Sequence, residues 1–283
     1  MKHLPSPIRR HLAAVRAVLV LTVVTGIVYP LAVTGVAQVL FRHQANGSLI
    51  ERNGRIVGSS LIGQSFTDAA GDPIPRYFQS RPAAPGHVYD TTSSGAGNLG
   101  PEDVVDTLPA PGRNGRTSLL TQVCARSLAV GRLEGVSGAR PFCAPGGVGA
   151  VLKVFPATGT ATRVVSVNQA CPATPFVPRY QGVRVECARP GEDYSTGRTV
   201  PVRGAVARVA VPPDAVTAGA SGLDPHISVA YAMLQAPRVA RARGRTVERV
   251  MDLVRRHTVN PWLGYVGRPV VNVLELNLAL DEE

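Results

Sequence analysis

Between Arg16 and Arg42 the chain carries no charged residue, and residues 17–41 (AVLVLTVVTGIVYPLAVTGVAQVLF) are apolar almost without a break. As a helix this stretch would run roughly 37 Å, enough to cross a bilayer core of about 30 Å. Pro30 inside it predicts a kink, which membrane spans tolerate better than soluble helices do. Beyond it the pattern changes to short elements. Asn46-Gly47-Ser48 predicts a turn into extended chain at Leu49-Ile50, and residues 57–66 a short strand followed by a loop. Residues 67–101 are dense in Gly, Pro, Ser and Asp, which predicts loops with few ladder hydrogen bonds, anchored locally by Tyr77-Phe78.

In the middle of the chain, residues 119–133 predict a helix using Leu119, Val123, Leu128 and Val130, and residues 148–155 and 161–167 predict Val-rich strands. Asp224-Pro225 has the form of an N-cap followed by Pro at N1, opening a helix through Ile227, Tyr231 and Leu234 that Pro237 interrupts. Thr246 is placed to cap a second helix whose Val247, Val250, Met251 and Val254 recur at helical spacing. In residues 271–280 (VNVLELNLAL), Leu274, Leu276, Leu278 and Leu280 alternate with Val273, Glu275 and Asn277, which predicts a half-buried strand. The expected class is α+β behind a single N-terminal transmembrane helix.

Composition narrows the class. With 283 residues, 45% hydrophobic and 17% charged, the chain is not a disordered one. Its mean hydropathy of +0.09 is too low for a multi-span membrane protein and fits one apolar segment on a polar body. Lys2, Arg9, Arg10 and Arg16 precede the apolar run with no acid before Glu51. The positive-inside rule then places residues 1–16 in the cytoplasm, residues 17–41 in the cell membrane and the rest outside. A cleaved signal peptide is the alternative, but its apolar region spans only about 7–15 residues. Cys124, Cys143, Cys171 and Cys187 fall in one segment with no metal-binding spacing, so they read as two disulfides of an exported domain. Three connectivities are possible. Residues 117–203 therefore form a disulfide-stapled subdomain.

The net charge of +11 would suit nucleic acid or anionic lipid. Only 5% of residues are aromatic, however, and no basic-aromatic interleaving appears, so nucleic acid is not an expected partner. Seven arginines between Arg238 and Arg256 oppose only Glu248 and Asp252, a run that reads as a solvated face or, alternatively, a surface for an acidic partner or lipid headgroups. Gly95-Ala96-Gly97-Asn98-Leu99-Gly100 matches GxGxxG but follows Asp90-Thr91-Thr92-Ser93-Ser94, which is no buried strand, so a dinucleotide site is not expected. Ser221, Asp224 and His226 are too close in sequence for a converging hydrolase triad. The histidines show no metal-ligand spacing, and no metal site is expected.

Longer motifs are more specific. Residues 45–50 (ANGSLI), 60–66 (SLIGQSF), 77–83 (YFQSRPA) and 98–101 (NLGP) occur in order after the span. Residues 216–228 (VTAGASGLDPHIS), 237–244 (PRVARARG) and 268–281 (RPVVNVLELNLALD) follow them. Together these closely resemble the C subunit of the Kdp potassium-transporting P-type ATPase, over residues 10–110 and 205–283. The motif positions carried over are Asn46, Gly63, Gln64, Phe66, Arg81, Pro82, Asn98, Ser221, Asp224, Arg238, Asn272 and Asn277.

The resemblance implies an accessory, non-catalytic subunit of a bacterial potassium pump, assembled in the lipid bilayer with a potassium-conducting and an ATP-hydrolysing subunit. It implies a catalytic chaperone that raises the pump's ATP affinity, with ATP and Mg bound by the partner ATPase subunit and no cofactor of its own. The family's usual Ser-Gly-Gly-Ser-Asn is here Ser94-Gly95-Ala96-Gly97-Asn98, a departure at the candidate nucleotide-contact positions Ser94, Gly95, Gly97 and Asn98. The connection between Pro101 and Val211 is longer than is usual in the family. Residues 117–203 thus look like an insertion in a main soluble domain made of residues 42–116 and 204–283. An exported body and direct contact with cytoplasmic ATP exclude one another, and the charge bias and cysteines favour export. The competing classes are a membrane-anchored extracytoplasmic enzyme and a lipid- or polyanion-binding protein.

Overall fold

The computed structural model describes residues 5–83, 89–95, 99–261 and 263–283, which fall into two compact units, residues 1–61 and 62–283. In the first unit, residues Ser6–Leu40 form one apolar helical segment long enough to cross a membrane. It begins well before residue 17. Helix α1 (Ser6–Val23) passes through a π-helical turn (Val24–Val28) into α2 (Tyr29–Leu40). The widened turn ends just before Pro30, whose ring cannot fit under the carbonyl four residues back in a regular α-helix, so the expected irregularity takes this form. The Thr25 hydroxyl donates to the Leu21 carbonyl at 2.7 Å within the same stretch. A short helix α3 (Arg42–Ala45) leads through the Asn46-Gly47 turn into an antiparallel hairpin of β1 (Leu49–Arg52) and β2 (Arg55–Ser59).

The second unit is α+β. Helix α4 (Leu119–Glu134) is capped by Ser118, whose side chain accepts from the Thr121 amide, and stops at Gly135 in the left-handed region. A five-stranded sheet follows, in the order β5 (Arg179–Tyr180), β6 (Val183–Ala188), β4 (Arg163–Ala170), β3 (Val151–Phe155), β7 (Arg198–Pro201). Only β4 and β6 run parallel. Disulfides Cys124–Cys143 and Cys171–Cys187 single out one of the three pairings left open by the sequence. The first ties α4 to the chain ahead of β3, and the second ties the end of β4 to β6.

The C-terminal third departs from three expectations. Asp224 does not cap a helix. Residues His226–Ser228 form strand β8, and helix α5 (Val229–Arg243) starts after Ser228, whose hydroxyl accepts from the Tyr231 amide at 3.0 Å. The Asp214 carboxylate holds Ser228 at both its amide and its hydroxyl, which fixes that start. Pro237 does not interrupt α5. It and Met233, whose carbonyl it leaves without a helical donor, both lie on the exposed side, where water can serve that carbonyl.

The third departure is at residues 271–280, which are not a strand throughout. Strand β10 (Val270–Asn272) ends at Asn272, whose side chain caps α7 (Val273–Glu282) by accepting from the Glu275 amide. The buried positions Val273, Leu274, Leu276, Asn277 and Leu280 have helical spacing, which the leucine alternation masks. Strand β10 pairs antiparallel with β8 and with β9 (Thr258–Val259), and α6 (Val247–Arg256) is capped by Thr246 as expected. Helices α5, α6 and α7 enclose the largest core with Phe78, Ile227 and Val271, and Val123 and Val130 of α4 pack against it. Two smaller clusters cover the five-stranded sheet.

Candidate functional site

The segment from Tyr77 to Arg81 belongs to no strand, yet its backbone is paired as if it did. The Asn277 amide brackets Phe78, accepting from its N–H at 2.8 Å and donating to its carbonyl at 2.9 Å. Gln235 does the same for Gln79, at 2.7 and 3.1 Å. Two side-chain amides from α7 and α5 thus replace a neighbouring strand, which is the accounting that buried backbone requires. The Gln79 side chain donates to the carbonyls of Phe66, Ile74 and Tyr77. Ser80 donates to the Gln64 carbonyl at 2.8 Å, and the rings of Phe66 and Tyr77 lie 5.5 Å apart.

Arg238 lies directly beneath. Its guanidinium pairs with Glu134 at 3.0 Å, with side chains 8% and 0% exposed, and donates to the carbonyls of Pro75 and Tyr77 and to Gln235. Burial pushes the Glu134 carboxyl above its usual range while Arg238 pulls it back. Of the other arginines of this run, Arg241, Arg245, Arg249, Arg255 and Arg256 stay exposed, as a solvated face would have them, and Arg243 is largely covered. Arg243 reaches Asp281 at 2.8 Å, Arg249 reaches Glu283 at 2.6 Å, Arg256 bridges Asp252 and Glu283, and Arg245 donates to the Glu283 carbonyl. Within the chain these arginines meet Asp252, Asp281 and Glu283.

At the end of the same extended segment, Arg81 bonds the Asp224 carboxylate at 2.8 Å and donates to the carbonyls of Thr217 and Ala218, while its Nε is buried without an acceptor among the described residues. Burial would raise the Asp224 carboxyl, but hydrogen bonds from the His226 side chain and amide, with the Arg81 charge, hold it below the usual range. Tyr89 donates to the Arg81 carbonyl at 2.8 Å, and its phenol is pushed up to about 12, chiefly by burial. Gly63 donates its amide to Leu223, and a Cβ there would come 2.4 Å from the Tyr89 ring and 2.7 Å from the Asp224 carbonyl, so only glycine fits. The Ser221 carbonyl accepts from the Gly95 amide at 3.2 Å and from the Ser94 hydroxyl at 3.1 Å.

Gly63, Gln64, Phe66, Arg81, Ser221, Asp224, Arg238 and Asn277 therefore gather along one strap, with Ser94 and Gly95 at its edge. Pro82 continues the strap and is half-buried. Asn272 acts instead as the α7 cap, and Asn46 belongs to the N-terminal unit, where it accepts from Gln38 at 3.1 Å. Gly97 and Asn98 lie outside the described residues. The Gly95 amide, engaged by Ser221, is not free for a phosphate. Asp224 and His226 do meet, but the Ser221 hydroxyl accepts from the Leu223 amide and makes no hydrogen bond to His226 among the described residues. The arrangement holds the Tyr77–Arg81 backbone in place and brings no hydroxyl to the His226 ring among the described residues.

Sequence reasoning passes over Gln235, Glu134 and Tyr89. Gln235 alone has a legible signal, a polar residue on the stripe that buries Tyr231, Ala232, Ala236 and Val239.

Comparison with known proteins agrees with the motif reading. The family described as KdpC: K+-transporting ATPase, c chain, matches residues 11–107 and 195–282. The potassium-transporting ATPase KdpC subunit of Polaromonas naphthalenivorans is 40% identical over 93% of this chain and 89% of its own length. Those of Rhodospirillum rubrum (37%, over 93% and 90%) and Mycobacterium tuberculosis (36%, over 96% and 98%) are similar across nearly their full lengths. With matched segments running from the apolar helix to α7, and with the strap built from them, the chain belongs to the KdpC family of potassium-transporting ATPase subunits.

Proposed function

We propose that the chain serves as the accessory, non-catalytic subunit of an ATP-driven potassium pump, holding the potassium-conducting and ATP-hydrolysing subunits together. The observation that carries this reading is the family match itself, which places the strap residues within the matched segments. In this reading the N-terminus is cytoplasmic, the Ser6–Leu40 segment spans the membrane and the body lies outside. Two formed disulfides and the basic residues ahead of the span support that orientation. An external body cannot touch cytoplasmic ATP. Its effect on ATP affinity is then a coupling free energy between pump states, exerted near the potassium entrance. Residues 117–203 act as an inserted, disulfide-stapled subdomain of the 42–116 and 204–283 domain.

The test is labelling of intact cells with a membrane-impermeant thiol reagent, before and after mild external reduction, with permeabilised cells as control. Labelling at the four cysteines only after reduction is the expected result. Labelling only after permeabilisation overturns the orientation and makes direct help with ATP the leading mechanism. Co-purification with both partner subunits tests the assembly role, and ATP binding by the purified full chain alone would sink the coupling mechanism.

A further inference from the structure

Strand β3 alternates Val151, Lys153 and Phe155 on one face with Leu152 and Val154 on the other. Both faces are covered, and the first packs Val151, Val165 and Val167 under Leu108 and Tyr194. Lys153 occupies a position that this pattern reserves for an apolar residue. It is 9% exposed and sits between Val165 of β4 and Thr199 of β7 in the register. Its ammonium makes one hydrogen bond, to the Gly197 carbonyl at 3.0 Å, and no ion pair within 4 Å among the described residues. A buried ammonium with two idle donors is costly unless something supplies charge and acceptors. The chain's 30 basic residues include only one other lysine, Lys2, so ordinary surface usage does not explain this one.

Lys153 lines a cavity of about 540 Å³ between the 105–113 and 189–195 loops. Arg113 and Arg189 line it too, and neither guanidinium is held in a hydrogen bond or ion pair among the described residues. Three acids share the walls, but each already accepts hydrogen bonds. Asp106 takes Ser118 and Thr121, Glu192 takes Arg163 and Tyr194, and Asp193 takes the Ser195 amide and hydroxyl. Asp193 feels the Lys153 charge without reaching it as an ion pair. The lining thus carries three cations and three acids, and the donors that no side chain takes up belong to Lys153, Arg113 and Arg189. A single carboxylate would engage only part of that set, whereas a phosphate offers three or more acceptor oxygens and close to two charges.

We propose that this cavity binds a small oxyanion of phosphate chemistry, anchored on the Lys153 ammonium and flanked by Arg113 and Arg189. Such an anion arrives either free or as the headgroup of a lipid, and the experiment separates the two. The purified full chain in detergent is titrated calorimetrically with inorganic phosphate and, separately, with a soluble short-chain phosphatidic acid. Saturable binding of inorganic phosphate identifies a free ion, and saturation by the phosphatidic acid alone identifies a headgroup. In either case Lys153→Met weakens binding at least about tenfold, the factor carried by one charge-assisted hydrogen bond, and Arg208→Gln, on an exposed loop, leaves it unchanged. If Lys153→Met does not fold, the Arg113→Gln/Arg189→Gln double variant takes its place, and weakened binding is again the expected result. The proposal is overturned if neither probe saturates the wild-type chain, or if these cavity variants bind as the wild type does.

Discussion

Arg238 and Lys153 are both buried cations, and their surroundings are opposite. Arg238 on α5 has a carboxylate partner in Glu134, two backbone carbonyls and the Gln235 amide. Lys153 on β3 has one backbone carbonyl and open space. The first environment uses a charge to fix the course of the chain, because each guanidinium nitrogen is engaged by a neighbour. The second leaves donors idle beside a cavity, which is the arrangement expected of a site. Burial of a charge alone therefore does not distinguish architecture from binding. The state of its hydrogen bonds does.

The comparison can be broken by substitution. Replacing Arg238 with Met strands the fully enclosed Glu134 carboxylate, and denaturant unfolding of the full chain should show a loss of about 3–5 kcal/mol. Lys153→Met, of similar bulk, should move the other way in anion-free buffer, raising stability by about 1 kcal/mol or leaving it unchanged. A large loss there would mean that Lys153, like Arg238, is a structural charge with its partners already in place. Gln235→Leu removes the pairing of the Gln79 backbone and should cost about 1–3 kcal/mol, with hydrogen exchange rising first at Gln79.

The smallest effect concerns acid stability. Burial would raise the Asp281 carboxyl, but hydrogen bonds from Arg243 and Tyr77, with the Arg243 and Arg76 charges, hold it below its ordinary value. The folded chain thus binds that proton less readily than the unfolded chain does. Stability from this group is present above the ordinary carboxylate range and is lost as pH falls through the lowered value. Asp281→Asn should lower the melting midpoint slightly at neutral pH, by under about 1 kcal/mol in stability terms, and flatten its fall in acid. An unchanged acid limb would show that Asp281 is not part of the linkage.

Much of this is legible in the sequence, for reasons that differ by element. Ser118 and Thr246 cap helices through their own hydroxyls, so the signal is local and reads correctly for α6. The start of α5 is easily misplaced because two rival caps lie four residues apart, and tertiary contacts choose between them: Arg81 claims Asp224 and Asp214 claims Ser228. In residues 271–280 the leucines satisfy a period of two and a helical period together, and only the Asn272 cap separates them. The strap is visible as motif strings but not as geometry, since Phe78 and Asn277 meet across 199 residues. Lys153 is one of two lysines among 30 basic residues, but that rarity carries no information on its burial or its partners. Its meaning comes from the face of the strand on which it sits.

The π-helical turn at Val24–Val28 has a consequence for the membrane segment. Such a turn inserts one residue into the α-helical count, so positions beyond it are rotated by about 100° relative to an unbroken α-helix. Residues of α1 and α2 that would share a stripe under a single period instead point in different directions. Crosslinking or lipid-contact patterns along Ser6–Leu40 should therefore change phase once, near Gly26, with each half keeping its own azimuth.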